Sequence, residues 1–507
     1  MHNKILSLIF VLFSFINIYS QTEIPSFITD SLDAYVEKAL TTWQIPGVAV
    51  CVVKDGEVVV MKGYGVCEEG KNDKVDENTL FMIGSNTKAF TTTALAMLEH
   101  DGKCAFDDKV QKWLPDFTMK DPWVTKELNL TDIVSHRMGM ETFQGDFMYW
   151  TSDLTMDEVI RKFGQLTPMY SFRTTWGYTN AGYAIAGKII EKISGKTWSE
   201  FLKERIISPL NMNRTLALSE EIKNAENVAA PHTTVDGVTV PVPIPDIDNL
   251  APAGSISSSV KDMSNWLIAQ LNNGKLDEEE IIPPSVIKKT RQPSSIVRRI
   301  SHPFNKQHYS LYALGWGLED YEGRELVEHT GGVNGFVTSV TLVPEENLGV
   351  VVLTNTGQNG LFVALKWEII DAFLGLPYRN YSETFFERFG AGRKNEEKRT
   401  AELRDSVDMD LTPSLALNDY SGRYLHDVYG YIDITRNGDL LEMSFEHHSN
   451  LKGKLESLGE NRFLCTYSDP MYGIRVIPFV TEGNKVKSFT LSVHPFVEFT
   501  TYDFVKN

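Results

Sequence analysis

The spacing of apolar positions changes along the chain, and each change predicts an element. From Pro46 the sequence runs PGVAVCVVKDGEVVVMKGYGV. Two β-branched runs flank Asp55-Gly56, the pattern of a β-hairpin. In MIGSNTKAFTTTALAMLEHDGK, residues 82 to 103, Phe90, Ala94, Met97 and Leu98 recur at spacings of three and four. That spacing predicts an amphipathic helix, with Gly102 just past its end where glycine is favoured. A helical and loop region continues to about Trp150. Its aromatic group, Phe143, Phe147, Tyr149 and Trp150, serves either core packing or the wall of a substrate pocket. Ala184, Ile185, Lys188 and Ile189 begin another helix, closing near Gly195, with Tyr178-Thr179-Asn180 on the loop before it. In PAGSISSSVKDMSNWL a serine-rich turn caps a helix from Val260 to Leu271, whose Met263, Trp266, Leu267 and Leu271 make one apolar face.

From YALGWGLED to VVVLTNTG the pattern turns to short β-branched runs between glycine turns, a meander of antiparallel strands. VALKWEIIDAFLGL then reads as a helix packed on it. Strands come first, helices fill the middle and strands return, which is α+β organisation: an antiparallel sheet, built from both ends of a domain and flanked by helices. Residues 21–378 are assigned to this domain. Residues 379–413 are dense in charge and poor in apolar side chains, and are expected to be a partly helical linker. Residues 414–507 carry short strands separated by Asn437-Gly438, Gly459-Glu460 and Glu482-Gly483-Asn484. About eight strands fit, the pattern of a small β-barrel or sandwich.

Composition narrows the function classes. The 507 residues, 42% hydrophobic and 23% charged, are those of an ordinary globular chain. With 49 basic against 67 acidic residues and a net charge of −18, the protein has no electrostatic footprint for nucleic acid. Lys4, the apolar run Ile5–Ile18 and Tyr19-Ser20-Gln21 read as a cleaved signal peptide, residues 1–20. The run is shorter than the ~20 residues that span a bilayer, so the mature protein is expected to be periplasmic or secreted, without a transmembrane segment. Cys51, Cys67, Cys104 and Cys465 are too few and too scattered for a disulfide framework, and buried free thiols are expected. No histidine cluster accompanies them, so neither a metal nor a cofactor is expected. His447 and His448, adjacent in a strand, would point to opposite faces.

The chemistry starts at Ser85. Ser85 and Lys88 lie three apart at a helix start and share a face, a nucleophile beside a base, with exposed backbone N–H groups at hand. The same Ser-x-x-Lys spacing recurs at Ser258/Lys261, Ser285/Lys288 and Ser449/Lys452. Any one of these is as readily a solvated surface pair or a helix cap. Taken with Tyr178-Thr179-Asn180 and His329-Thr330-Gly331 in this order and at these separations, Ser85-x-x-Lys88 resembles the penicillin-recognising serine hydrolases, in their class C β-lactamase branch. PAGSISSSVKDMSNWL and SHRMGM (135–140) look like further landmarks of that branch.

This resemblance implies a β-lactamase/transpeptidase-like domain in which Ser85 is acylated. Lys88 or Tyr178 would act as base, and Asn180 would orient the substrate or Lys88. The N–H groups of Ser85 and Gly332 would hold the oxyanion, each such donor being worth ~3 kcal/mol. His329, Thr330 and Gly331 would line the site. The penicillin-hydrolysing pattern has lysine at position 329. Histidine is mostly neutral above pH ~6.5 and recognises a carboxylate less well. In this respect the chain looks more like the D-aminopeptidases and esterases of the family, with small peptides, amides or esters as substrates. The C-terminal β domain is similar to lipocalin-like modules on family peptidases. It would bind a ligand, roof the site, support a homo-oligomer or simply stabilise the chain. Two other readings stay open at this point: β-lactam or D,D-peptide hydrolysis, and a non-catalytic binding module of the same fold.

Overall fold

The computed structural model describes residues 23–507 except Asp236; the expected signal segment, residues 1–20, lies outside the described residues. Helix α1 (Leu32–Trp43) leads into strands β1 (Gly47–Lys54) and β2 (Glu57–Gly65). Both hairpin residues, Asp55 (φ 55°) and Gly56 (φ 83°), are left-handed, as a two-residue turn that follows the strand twist requires. Helices α2 (Thr87–His100), α3 (Asn180–Ser194) and α4 (Val260–Leu271) fill the middle of the chain. The returning strands are β3 (Ser295–Arg299), β4 (Tyr309–Tyr312), β5 (Gly317–Tyr321), β6 (Arg324–Val333), β7 (Phe336–Val343) and β8 (Leu348–Thr354). They join the N-terminal hairpin in one eight-stranded antiparallel sheet of order β2-β1-β8-β7-β6-β5-β4-β3. β1 pairs with β8, Val48 opposite Thr354, so the two ends of this region lie side by side in the sheet.

Side chains alternate along these two strands, and both faces are covered. Val48, Val50, Val52, Val350 and Val352 face a core that includes α1 and α5 (Leu361–Phe373). Ala49, Cys51, Val53, Val351 and Leu353 face the other core, with Phe90 of α2 and Trp266 of α4. The expected amphipathic character of α2 is corrected here: every residue from Thr87 to Leu98 is buried. The helix is wrapped on all sides by the sheet and other helices, and its threonines fit because backbone carbonyls accept their hydroxyls. Thr91 donates to Pro252 O (2.7 Å) and Thr92 to Leu314 O (2.7 Å). Phe90 stacks on Trp266 with centroids 3.9 Å apart.

The stretch expected to be a partly helical linker is one 28-residue helix, α6 (Tyr381–Asp408), of which only Tyr381 and Ser382 are buried. A helix of that length reaches about 40 Å. It is pinned to the sheet region by Trp43 Nε1 donating to Ser382 Oγ (3.0 Å). Its far end is pinned by Arg404 donating to Glu456 (2.6 Å). Beyond it, β9 (Gly422–His426), β10 (Gly430–Asn437), β11 (Leu440–Phe445), β12 (His448–Ser457), β13 (Arg462–Tyr467), β14 (Ile474–Glu482), β15 (Lys485–Leu491) and β16 (Tyr502–Lys506) close an antiparallel barrel. Tyr424, Phe463, Phe479 and Phe489, from four different strands, and Tyr420, from the short helix Leu417–Tyr420 before them, contact one another. Rings therefore fill this part of the barrel.

The barrel docks beside the helical region. Phe147 stacks on His448 (5.0 Å, planes 6° apart), and the His448 ring lies 3.1 Å from Trp150 O through Nε2. His447 turns instead to Asp153 (2.9 Å). All four cysteines are free; Cys104 is half-buried and the other three are buried. Among the described residues no helix is long and apolar enough to cross a membrane.

Candidate active site

Three backbone features bring the predicted residues together. A short 3₁₀ turn, Gly84–Asn86, precedes α2 and presents Ser85 at its start. Gly84 is left-handed (φ 54°), and a Cβ there would lie 2.9 Å from Gly332 N. A Cβ on Gly331 would lie 1.9 Å from Ile83 O. Glycine at these positions lets the Ser85 turn touch β6, and with it the segments carrying the Ser85 and Gly332 amides. Finally, β5 pairs with β6 only from Arg324 to Glu328. From His329 onward that edge of β6 is free to face a cavity of about 580 Å³. Ser85, Tyr178, Asn180 and residues 329–332 all line it.

Lys88, the second residue of α2, is fully buried, with its Nζ 3.2 Å from Ser85 Oγ, 2.7 Å from Asn180 Oδ1 and 2.8 Å from Ala253 O. Burial lowers its pKa from 10.5 to about 7, against the opposing pull of Asp146. A neutral amine has two hydrogens and one lone pair. Asn180 Oδ1 and Ala253 O can only accept, so they take both hydrogens and leave the lone pair for the Ser85 hydroxyl. The other Ser-x-x-Lys pairs lack this setting. Ser258 lies on a two-residue strand bonded to Thr215, with Lys261 exposed, and Ser285 meets His100 at the surface. Ser449 and Lys452 are exposed on the barrel.

A family model described as Beta-lactamase matches residues 32–373, well over half of the chain. The chain belongs to the beta-lactamase family. A second model, a domain of unknown function (DUF3471), matches residues 408–506, the barrel. Among similar proteins, "Unguisins hydrolase ungD'" of Aspergillus campestris is 30% identical over 421 residues, covering 79% of this chain and 76% of that protein. "Protein flp" of Staphylococcus aureus is 27% identical over 337 residues, 64% of this chain and 62% of that protein. Among solved structures, the octameric penicillin-binding protein homologue from Pyrococcus abyssi superposes with a TM-score of 0.60 at 22% identity, over 94% of this chain and all of that one. At that identity the likeness concerns the fold.

In this beta-lactamase-family site Tyr178 lies with its ring 4.7 Å from Lys88 Nζ. Its buried hydroxyl makes no hydrogen bond of good geometry. Burial, with Tyr312 and Asp146 adding to it and Ser85 opposing, pushes its pKa well above 10. Tyr178 is therefore a neutral phenol, suited to giving a proton rather than taking one. Asn180, at the start of α3, accepts from Lys88 and donates from Nδ2 to Asp146 Oδ2 (2.6 Å).

His329 is buried, its Nδ1 2.6 Å from Thr330 O and its Nε2 2.9 Å from Tyr312 Oη. A carbonyl only accepts, so Nδ1 carries the hydrogen and Nε2 accepts from the tyrosine. Burial, then the neighbouring Lys88, lowers its pKa to about 3. The imidazole is neutral through the physiological range and offers a carboxylate no charge.

The aromatic group read from sequence divides. Phe143 and Trp150 line the cavity, whereas Phe147 and Tyr149 are buried in the packing. Among the described residues no group of three or more His, Cys, Asp or Glu is placed to hold a metal ion.

Several site residues carry no motif. Asp146 and Tyr312 line the cavity from a loop helix and from β4, and Phe496 reaches it from the barrel, its ring 3.2 Å from where a Gly332 Cβ would sit. Asp146 directly precedes Phe147 of the aromatic group, the nearest thing to a signal. Phe496 had none, because its contact depends on how the barrel docks.

Proposed function

We propose that the protein is an exported serine hydrolase that forms an acyl-enzyme on Ser85 and acts on small peptides, amides or esters. The observation that carries this reading is the Lys88–Ser85 contact, a buried amine whose only uncommitted orbital faces a serine hydroxyl. Lys88 takes the Ser85 proton as Oγ attacks the acyl carbon. The N–H groups of Ser85 and Gly332 receive the oxyanion. On collapse the leaving group departs with a proton from Tyr178, which regains one from the Lys88 ammonium. Water then repeats the sequence on the ester and frees Ser85.

The cavity walls favour partly aromatic substrates, since Phe143, Trp150, Trp176 and Phe496 supply apolar surface, and the neutral His329 offers a carboxylate no charge. The name of the Aspergillus relative, a hydrolase of unguisins, supports the hydrolase reading. Export is supported by Lys4 followed by the apolar run Ile5–Ile18. Family membership keeps β-lactam hydrolysis as a second reading, and a chromogenic cephalosporin tests it. Slow turnover is expected, and a rate like that of dedicated β-lactamases would overturn the role given to His329. The primary test is Ser85→Ala, which should abolish ester and anilide turnover and labelling by a fluorophosphonate probe. Undiminished labelling of that variant refutes the assignment.

A further inference from the structure

Lys88 reaches the barrel through a continuous chain of contacts. Its Nζ donates to Asn180 Oδ1 (2.7 Å), and Asn180 Nδ2 donates to Asp146 Oδ2 (2.6 Å). Asp146 opens a single-turn helix, and the amides on either side of it, Gly145 N and Phe147 N, donate to Glu498 of the barrel at 2.7 and 3.0 Å. Glu498 is itself buried and also accepts from Tyr429 Oη (2.8 Å) and Tyr502 Oη (2.6 Å). The two carboxyls are thus unequal. Glu498 has four donors, the surroundings of an anion. Asp146 has one, from Asn180, and its Oδ1 is buried without a partner. When two buried carboxyls are this close, the better-solvated one keeps the charge and the other keeps the proton.

We propose that Glu498, supplied by the barrel, holds Asp146 in its uncharged form beside Asn180 and thereby keeps Lys88 usable as a base, making the barrel a positioning part of the acyl-transfer site. This rests on the reading of Lys88 as the base for Ser85.

The electrostatics agree with the geometry. Burial and then Glu498 push the Asp146 carboxyl well above its ordinary value, whereas burial, opposed by its four donors, raises Glu498 to about 7, so Glu498 is the first of the two to ionise. An ionised Asp146 would pull Lys88 back toward protonation. The other titratable groups around these three are neutral near pH 7. Tyr178 and Tyr183 beside Lys88, and Tyr149, Tyr429 and Tyr502 beside the carboxyls, are all raised by burial. His136 and His329 beside Lys88, and His426 behind Tyr429 and Tyr502, are lowered by it. At the rim, Glu141 accepts from Thr500.

The test is the pH dependence of fluorophosphonate labelling at Ser85 in the full chain, with melting temperatures recorded alongside. Glu498→Gln removes the charge that adds to burial in suppressing Asp146, so Asp146 ionises more readily and the acid limb of the rate profile should move up by roughly half to one pH unit. Asp146→Asn makes the uncharged state permanent; its limb should stay at or below the wild-type position. The double variant should behave like Asp146→Asn, since Glu498 acts only through Asp146. Tyr429→Phe weakens the hold on the Glu498 charge and should move the limb in the same upward direction by less. It serves if Glu498→Gln does not fold.

A purely structural role for Glu498 predicts lower melting temperature and rate with the limb unmoved, and that result overturns the proposal. So does an upward shift that survives Asp146→Asn. If wild-type protein does not label at Ser85 at all, the proposed function fails rather than this link.

Discussion

Replacing Lys88 by methionine separates the lysine's cost to the fold from its use in catalysis. An unfolded lysine holds its proton to about pH 10.5, whereas the buried Lys88 gives it up near pH 7. Between those values the unfolded chain binds more protons, so wild-type stability rises with pH. Below pH 7 both states are protonated and the penalty is at its full size, about 5 kcal/mol. Lys88→Met removes this penalty but leaves Asn180 Oδ1 and Ala253 O as buried acceptors without donors, at roughly 1–3 kcal/mol each. Those losses do not depend on pH and cancel when two pH values are compared. Between pH 6 and pH 9 the wild type should therefore gain about 2.5 kcal/mol relative to Lys88→Met. Urea denaturation of both proteins at the two pH values measures this directly. The variant should be inactive at both. An equal stability difference at pH 6 and pH 9 would show that Lys88 is not the depressed base described here.

Other perturbations probe the remaining groups. Tyr178→Phe should lower kcat about a hundredfold or more, the usual scale for a proton donor. It should leave the melting temperature nearly unchanged, because the hydroxyl it removes makes no hydrogen bond of good geometry; a large loss of stability with normal turnover would contradict this role. His329→Lys introduces a charge where the neutral imidazole stands, and should improve inhibition by carboxylate-bearing β-lactams about tenfold or more, read as Ki in an ester assay. Gly331→Ala sets a methyl 1.9 Å from Ile83 O and 2.5 Å from Thr338 Oγ1. Overpacking against backbone should cost ~3 kcal/mol or more in thermal or urea unfolding.

The fold was legible where periodicity and turn chemistry agree. Asp55-Gly56 between β-branched runs predicted the N-terminal hairpin, and the glycine turns of the meander predicted strands that pair with it. In the helix after Ser85, Phe90, Ala94, Met97 and Leu98 mark one stripe, the pattern of an amphipathic helix. Thr91 and Thr92 look like its solvent face but are buried against the carbonyls of Pro252 and Leu314. Those partners lie far away in sequence, so no local pattern reports them. The charged stretch at 379–413 hid its continuous helix because almost none of its surface is buried; its charges face water along a strut between two bodies.

At the site, Ser85, Lys88, Tyr178, Asn180 and residues 329–332 had sequence signals, and the structure brings them to one cavity. Asp146 carries no motif, and the rings around it dominate the local pattern. Glu498 lies in an unremarkable strand-connecting loop of the barrel, and its place emerges only when four donors converge on it. Motifs mark the groups proposed to touch the reaction. The groups that set their protonation are recorded in packing.

The central claim is that Ser85 carries the acyl group. Acid quenching of wild-type protein during turnover of a p-nitrophenyl ester, followed by mass measurement of the intact chain and of its peptides, tests it most directly. The predicted result is a mass increase equal to the acyl group, confined to the peptide containing Ser85 and absent from Ser85→Ala. An adduct on another residue, or one that forms equally in Ser85→Ala, would contradict it.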